Sequence, residues 1–494
     1  MARQLKEPVV LVCTSGTAVL NLAPALAEAY YQNIPLVAIT ADRPPELIGQ
    51  EDGQTILQPE IFRNYIRKSI NLPADETTEA LETGKKALEN LFKMSDSLSP
   101  GPIHINVPIQ EPLYGMTKRV ADTKQYDFKN PCLELNSGVK EELILEWNSV
   151  SKILIVCGVN LPNQKLNQTI QALSIQMNIP VLATSISNLG GEPIMGNVDK
   201  TVNSISTDQL ESFAPDLLIT LGGPVVSKKL KQFIRSAKPR HHWDVDKNSA
   251  MVNTYGCLTR QLIGHPETVL EYLATKAKAK SPGFQNQWLS QRDKNQGLHN
   301  EFLKSVAWSD MAVYHIFLGQ INQPIDLHLG NSSPVRYMEF FEKHPLVNYY
   351  TNRGTSGIDG SSSTASGAAI ASGNLTVLIT GDVSFVYDSN ALWNQNLPKN
   401  LRILVINNGG GNIFRLIPGP ESSGLLSYFE TPHKASIQNL CTAFGVTYLK
   451  ASNKDSLNAA LKTFFDKENE TTVLEVFTPG IESAAVFKEY LSNG

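Results

Sequence analysis

Two short segments carry residues suited to holding a hard cation and an anion. Gly381-Asp382-Val383-Ser384 follows the β-branched run 375–380, and Asn407-Asn408-Gly409-Gly410-Gly411 follows the run 401–406. If these runs are neighbouring parallel strands, both segments sit beyond strand carboxyl ends, where open α/β sheets bind ligands. A carboxylate on one strand end and an amide on the next are oxygen ligands for a cation such as Mg²⁺. The glycines let backbone carbonyls and N–H groups approach that ion and any phosphate it carries. Alone, the pair fits equally well an aspartate capping a helix and an ordinary turn.

Two upstream segments weigh against the bland alternative. Residues 352–360 (Asn-Arg-Gly-Thr-Ser-Gly-Ile-Asp-Gly) open a helix-compatible stretch over 361–372. Their G-x-x-G-x-x-G spacing suits an anion at a helix N-terminus and lacks the G-x-G of a dinucleotide fingerprint. Gly330-Asn331-Ser332-Ser333-Pro334-Val335-Arg336 likewise follows a strand-like run. Ser, Arg, Gly and Asp thus converge on one sheet edge.

The elements that must position these residues are short β-branched runs followed by Gly or Ser and a helical pattern, the signature of parallel α/β units. Strand-like runs fall at 9–13, 36–40 and 103–107, then at 153–157, 181–184 and 217–221, and finally at 325–329, 375–380, 401–406 and 472–476. A polar stretch over 116–141 and a charged one over 274–283 separate the three groups. The expected fold is α/β, with three doubly wound parallel-sheet domains in series over 1–125, 140–275 and 295–494.

A chain of 494 residues suits about three domains at roughly 150 residues each. With 41% hydrophobic and 18% charged residues it is neither disordered nor coiled-coil. A net charge of -4 leaves no electrostatic footprint for nucleic acid or an anionic membrane surface. No apolar run approaches the roughly 20 residues that span a bilayer. Five scattered cysteines without a C-x-x-C argue against a disulfide framework and for a reducing cytoplasm. The histidines form no H-E-x-x-H, and His104, inside an apolar run, reads as a sheet residue. Lys228 and Lys229 read as solvent-facing at a helix start, and Ile413 and Phe414 as ordinary core.

The chain also resembles a known family. Gly381-Asp382 with Asn407-Asn408 is similar to the metal and diphosphate motif of thiamine-diphosphate enzymes. Residues 13–18 (Cys-Thr-Ser-Gly-Thr-Ala), 40–47 (Thr-Ala-Asp-Arg-Pro-Pro-Glu-Leu), 111–114 (Glu-Pro-Leu-Tyr), Gly330-Asn331-Ser332, Asn352-Arg353-Gly354 and 356–360 (Ser-Gly-Ile-Asp-Gly) resemble more specifically the 2-succinyl-5-enolpyruvyl-6-hydroxy-3-cyclohexene-1-carboxylate synthases of menaquinone biosynthesis. The segments 40–47 and 356–360 together carry most of that specificity.

The resemblance implies roles residue by residue. Asp382, Asn408 and the carbonyl of Gly410 would hold Mg²⁺ or Mn²⁺ against the diphosphate of thiamine diphosphate, with Gly381 and Ser384 facing the cofactor. Ile358, stiff at its β-carbon, would be the wedge that bends it, and Ile413 and Phe414 would cover its thiazolium. Ser332, Arg336 and Arg353 would bind substrate carboxylates, with Arg43 and Gln54 contributed by a neighbouring subunit of a homodimer or homotetramer. Lys228 and Lys229 match a basic pair of the family. The implied reaction is decarboxylation of 2-oxoglutarate and conjugate addition of the resulting carbanion to isochorismate. Alternatives are another 2-oxo-acid decarboxylase or ligase, such as an acetolactate synthase, and a non-catalytic paralogue with a binding or assembly role.

One departure from the family stands at the N-terminus. The glutamate that activates the cofactor lies, in that family, on a strand–helix unit before the strand matched here by 9–13. Only residues 1–8 precede that strand, and Glu7 enters it at the wrong end. The expectation is a chain that binds the cofactor but turns over poorly, from a natural protein that starts upstream.

Overall fold

The computed structural model describes residues 1–75, 77–94, 100–110, 136–247, 251–417, 419–466 and 470–492. The motif at 111–114, Cys132 and most of the polar stretch at 116–141 lie outside them. The chain divides into two compact units, 1–133 and 134–494.

The first unit holds β1 (Val9–Cys13), β2 (Leu36–Asp42), β3 (Lys68–Asn71) and β4 (Ile103–Pro108), in the order β1-β2-β4-β3. All its pairings are parallel. The second unit holds two sheets. One has β5 (Ile153–Cys157), β6 (Val181–Ala183), β7 (Leu217–Leu221), β8 (His241–Asp246) and β9 (Arg260–Ile263), in the order β6-β5-β7-β8-β9. The other has β10 (Ile325–Leu329), β11 (Val347–Thr351), β12 (Thr376–Gly381), β13 (Leu401–Asn407), β14 (Thr447–Ala451) and β15 (Thr472–Phe477), in the order β11-β10-β12-β13-β15-β14. The pairings in both are parallel too. Three parallel sheets match the architecture read from the sequence.

The strand order of the last sheet makes the site. Because β11, β10, β12 and β13 are successive neighbours running the same way, the segments leaving them (352–360, 330–336, 382–384 and 408–411) emerge side by side at one edge. The register Thr380↔Val405 and Gly381↔Ile406 brings Asp382 level with Asn407 and Asn408. Continuous apolar burial on both faces holds that register. Every residue of β10 is buried, and so are Leu401 to Ile406 in β13. One face packs on Met311, Tyr314, Phe317 and Tyr337, the other on Ala365, Ala369 and Phe385. Small residues in the helix Ser361–Ser372 let it lie close to the strands. At Gly330 the chain leaves β10 so near β12 that a Cβ would lie 3.0 Å from Thr380 Oγ1.

Arg402 anchors the other end of β13. Its guanidinium is fully buried and donates to the carbonyls of Phe464 (2.7 Å), Asp466 (2.6 Å), Lys399 (2.7 Å), Leu401 (3.0 Å) and Glu470 (3.1 Å). A charge satisfied this fully costs little to bury, whereas its removal leaves several buried acceptors unpaired. Replacing it by methionine is expected to cost about 3–5 kcal/mol of stability, read from the urea midpoint; an unchanged midpoint would show that β13 does not depend on this clasp.

Candidate functional site

A cavity of ≈ 170 Å³ opens at the carboxyl ends of β10, β12 and β13. Nine of the residues singled out in the sequence line it together: Ser332, Ile358, Gly381, Asp382, Ser384, Asn408, Gly410, Ile413 and Phe414. Arg336, Arg353, Lys228 and Lys229 are not part of its wall, and Arg43 and Gln54 belong to the first unit.

Asp382 begins the short helix Asp382–Tyr387 and is buried. Its Oδ1 accepts from Val383 N–H at 2.8 Å, and its Oδ2 accepts from Gly409 N–H at 3.1 Å. The first bond is a helix-end contact of the kind the bland alternative allowed; the second ties the carboxylate across to the next strand end. Burial pushes its pKa up to about 6, against the opposing pull of the backbone N–H groups and of His433, whose Nε2 lies 3.5 Å from Oδ2. Asn408 donates through Nδ2 to Asp310 at 2.9 Å. Its Oδ1 is buried with no hydrogen-bond partner among the described residues. Gly410 adopts φ +144°, and a Cβ there would meet the carbonyl of Glu430 at 2.5 Å, so glycine is required. That carbonyl also accepts from Gly411 N–H at 2.6 Å, which pins the loop 408–411.

These features fit a divalent cation. A buried carboxylate with no lysine or arginine bound to it, a buried amide oxygen without a partner and a glycine loop supply hard oxygen ligands. No group of three or more His, Cys, Asp or Glu suited to a metal occurs among the described residues, so the donor set is the mixed one of carboxylate, amide and backbone carbonyl.

The apolar side of the cavity is equally specific. Ile358 is 36% exposed, too open for an ordinary core isoleucine. Its carbonyl accepts from the Ser384 hydroxyl, so Ser384 is spent on holding the isoleucine's loop. Ile413 is buried, and Phe414 packs on Phe429 with ring centroids 5.4 Å apart, so both contribute to the core while facing the cavity.

The cationic residues stand around this cavity. Ser332 has φ +70° and ψ −124°, a strained combination for a non-glycine residue. Its carbonyl accepts from Arg336 Nη1, which helps hold it there. Arg353 donates to Asn331 Oδ1 at 3.0 Å, and Asn331 Nδ2 donates to the carbonyls of Asn352 (2.6 Å) and Gly357 (2.7 Å). Asn331 therefore ties the two arginine-bearing segments together, a role its sequence position gave no reason to assign. Near Arg336 lies half-buried Asp199, whose pKa burial raises while Ser227, Arg336 and Lys229 pull it back down. Lys228 and Lys229 start the helix Lys228–Ala237 and are exposed, as their sequence position suggested. One turn further, half-buried Lys231 is pushed towards its neutral form by burial and by Arg353, Arg235, Arg336 and Lys228. This gathering of positive charge favours an anionic occupant.

In the first unit, Arg43 follows β2 and pairs with Asp52 at 3.2 Å. Exposed Gln54 takes φ +58° beside Gly16. Below them is a buried network: Thr40 donates to Asn106 Oδ1 (2.9 Å), Asn106 to Asp42 (2.8 Å), and Gln58 to Asn106 (2.9 Å). His104 joins it through Thr40 at 2.8 Å, and burial lowers its pKa to about 4, so it is a neutral sheet residue as its sequence context indicated. Exposed Glu7 stands at the amino end of β1. Sequence reasoning missed Asp310, Glu430 and His433, which lack a local motif and become visible only through contacts distant in sequence, and it quoted Asn331 within a motif without assigning it a role.

Comparison with known proteins agrees with this geometry. Family profiles match residues 1–65 (thiamine pyrophosphate enzyme, N-terminal TPP binding domain), 116–320 (middle domain) and 330–476 (C-terminal TPP binding domain). The chain is 36% identical to the 2-succinyl-5-enolpyruvyl-6-hydroxy-3-cyclohexene-1-carboxylate synthase of Flavobacterium johnsoniae and 38% identical to that of Flavobacterium psychrophilum, covering 100% of this chain and 88% of each relative. The synthase of Desulfotalea psychrophila is 36% identical over 97% of this chain and 88% of its own length. A crystal structure of benzoylformate decarboxylase from Polynucleobacter necessarius superposes with a TM-score of 0.71 at 15% identity, over 97% of this chain and 88% of that one, a likeness of fold. Three thiamine-enzyme domains in order and relatives this similar along the whole chain make it a member of the 2-succinyl-5-enolpyruvyl-6-hydroxy-3-cyclohexene-1-carboxylate synthase family of thiamine-diphosphate-dependent enzymes.

Proposed function

We propose that this chain decarboxylates 2-oxoglutarate and joins the remaining four-carbon unit to isochorismate. The observation that carries the reading is the unpartnered Asn408 oxygen on the strand end next to buried Asp382, inside a cavity lined by the residues the family motif marks. When bound, thiamine diphosphate supplies the carbanion chemistry of decarboxylation and carbon–carbon bond formation. The chain's residues bind, orient and exclude water. Asp382, Asn408 and the Gly410 carbonyl would hold Mg²⁺ or Mn²⁺ against the diphosphate. Ile358, fixed through Ser384, would shape the cofactor, and Ile413 and Phe414 would keep the reacting face dry. Ser332, Arg336, Arg353, Lys228 and Lys229 would take the substrate carboxylates, for which the planar guanidinium offers bidentate geometry. Arg43 and Gln54 would act from a neighbouring subunit of a homo-oligomer.

Two anionic substrates account for the cations around Arg336 and Arg353, and this favours a dicarboxylate donor over pyruvate. Among the described residues no helix is long and apolar enough to cross a membrane. Among the described residues Cys13, Cys157, Cys257 and Cys441 form no disulfide, consistent with the cytoplasmic setting proposed here.

Three outcomes are expected. Asp382→Ala should abolish the Mg²⁺-dependent part of thiamine diphosphate binding in calorimetry; wild-type affinity would refute the metal assignment. The cation needs the ionised Asp382, whose pKa in the metal-free chain is about 6. Apparent Mg²⁺ affinity should therefore be level above that pH and fall about tenfold per unit below it, with a proton released on binding. A flat profile down to pH 5 would show that this carboxylate is not the ligand. Finally, Arg336→Ala or Arg353→Ala should lower kcat/KM for 2-oxoglutarate or isochorismate about 10–100-fold, the equivalent of about 1.5–3 kcal/mol for a charge-assisted hydrogen bond. Pyruvate outperforming 2-oxoglutarate in the unmodified chain would favour the acetolactate-type alternative.

A further inference from the structure

Asp310 begins the helix Asp310–Gly319 and lines the cavity opposite the wedge, where it is fully buried. Its Oδ1 accepts from Thr478 Oγ1 at 2.6 Å and from Ser483 Oγ at 3.2 Å, and its Oδ2 accepts from Asn408 Nδ2 at 2.9 Å. The donors are all neutral. With both carboxylate oxygens already accepting, Asp310 holds the Asn408 amide with NH₂ towards itself and oxygen away. That oxygen is the buried, unpartnered Oδ1. With the amide reversed, two N–H bonds would face the cation position and two acceptors would face each other behind it.

We infer that Asp310 is a positioning residue for the cation site: it fixes the Asn408 amide so that oxygen is presented to the metal. The inference rests on the reading of Asp382 and Asn408 as metal ligands. It also accounts for a buried aspartate with no cation bound to it. Thr478 and Ser483, from the segment after β15 and the helix Gly480–Ser492, hold the carboxylate so that its second oxygen reaches Asn408. Partners behind a ligand in this way commonly control metal affinity about 10–100-fold.

The test measures Mg²⁺-dependent thiamine diphosphate binding by calorimetry, together with the melting temperature of the ligand-free chain. Asp310→Asn should weaken cation-dependent binding about 10–100-fold. It should not lower the ligand-free melting temperature, because the amide keeps the size of the side chain and can still bond the Thr478 and Ser483 hydroxyls. Thr478→Val, which loosens the network without touching Asn408, should lower the melting temperature and leave cation affinity within about threefold. The sharpest variant is Asn408→Asp. Added negative charge alone would tighten Mg²⁺ binding, whereas a carboxylate set against Asp310 should weaken it, and combining it with Asp310→Asn should restore it. The Asn408→Asp arm still decides the matter if Asp310→Asn does not fold. Wild-type affinity in Asp310→Asn, or tighter binding in Asn408→Asp, overturns the inference while Asp382→Ala still loses the cation. If Asp382→Ala also binds normally, the metal reading itself has failed and the inference falls with it.

Discussion

The buried carboxylate of Asp382 is the constraint around which the cavity is built. Folding places it at the end of β12 among apolar strands, where among the described residues it accepts from the Val383 and Gly409 N–H groups and has a histidine at 3.5 Å. Taking a carboxylate out of water at that cost is sustainable where a counter-charge arrives later. The raised pKa of about 6 expresses the same imbalance. A divalent cation would resolve it, and the neighbouring amide oxygen and glycine loop would complete a ligand set that none of them supplies alone.

Everything else in the second unit serves to put these groups together without flexibility. Parallel pairing of β10, β12 and β13 fixes the relative height of the three strand ends, and burial of both faces prevents slippage. The loops beyond are then tied to each other: Asn331 bridges two of them, Ser384 holds the Ile358 carbonyl, and the Glu430 carbonyl holds the loop 408–411. The strained backbone at Ser332 is held by the Arg336 bond to its carbonyl, and Gly410 takes a conformation open to glycine without strain. Such preorganisation is what positioning a cofactor and two anions demands.

Much of this was legible in the sequence, for identifiable reasons. The central strands β5, β7, β10, β12 and β13 are buried on both faces and so appear as continuous β-branched runs. Some polar or partly exposed strands did not: β14 has one buried residue in five, and β8 carries buried His242 and half-buried Asp244, both bonded to Thr220. Site residues followed the same division. Asp382, Asn408 and Ile358 lie in glycine-marked segments with local motifs, whereas Asp310 acts on Asn408 from 98 positions away and carries no local signal. Ile413 and Phe414 pack on their neighbours and also line the cavity, so core packing and a place beside a ligand are not exclusive for a residue at a cavity edge.

The most direct measurement is a crystal structure of the chain grown with thiamine diphosphate and Mn²⁺, with data collected at the manganese absorption edge. The account predicts one anomalous peak in the cavity, within coordination distance of an Asp382 oxygen, Asn408 Oδ1 and the Gly410 carbonyl, with the cofactor diphosphate on its open side. A peak elsewhere, or a cofactor bound with no metal beside Asp382 and Asn408 Oδ1, would contradict it.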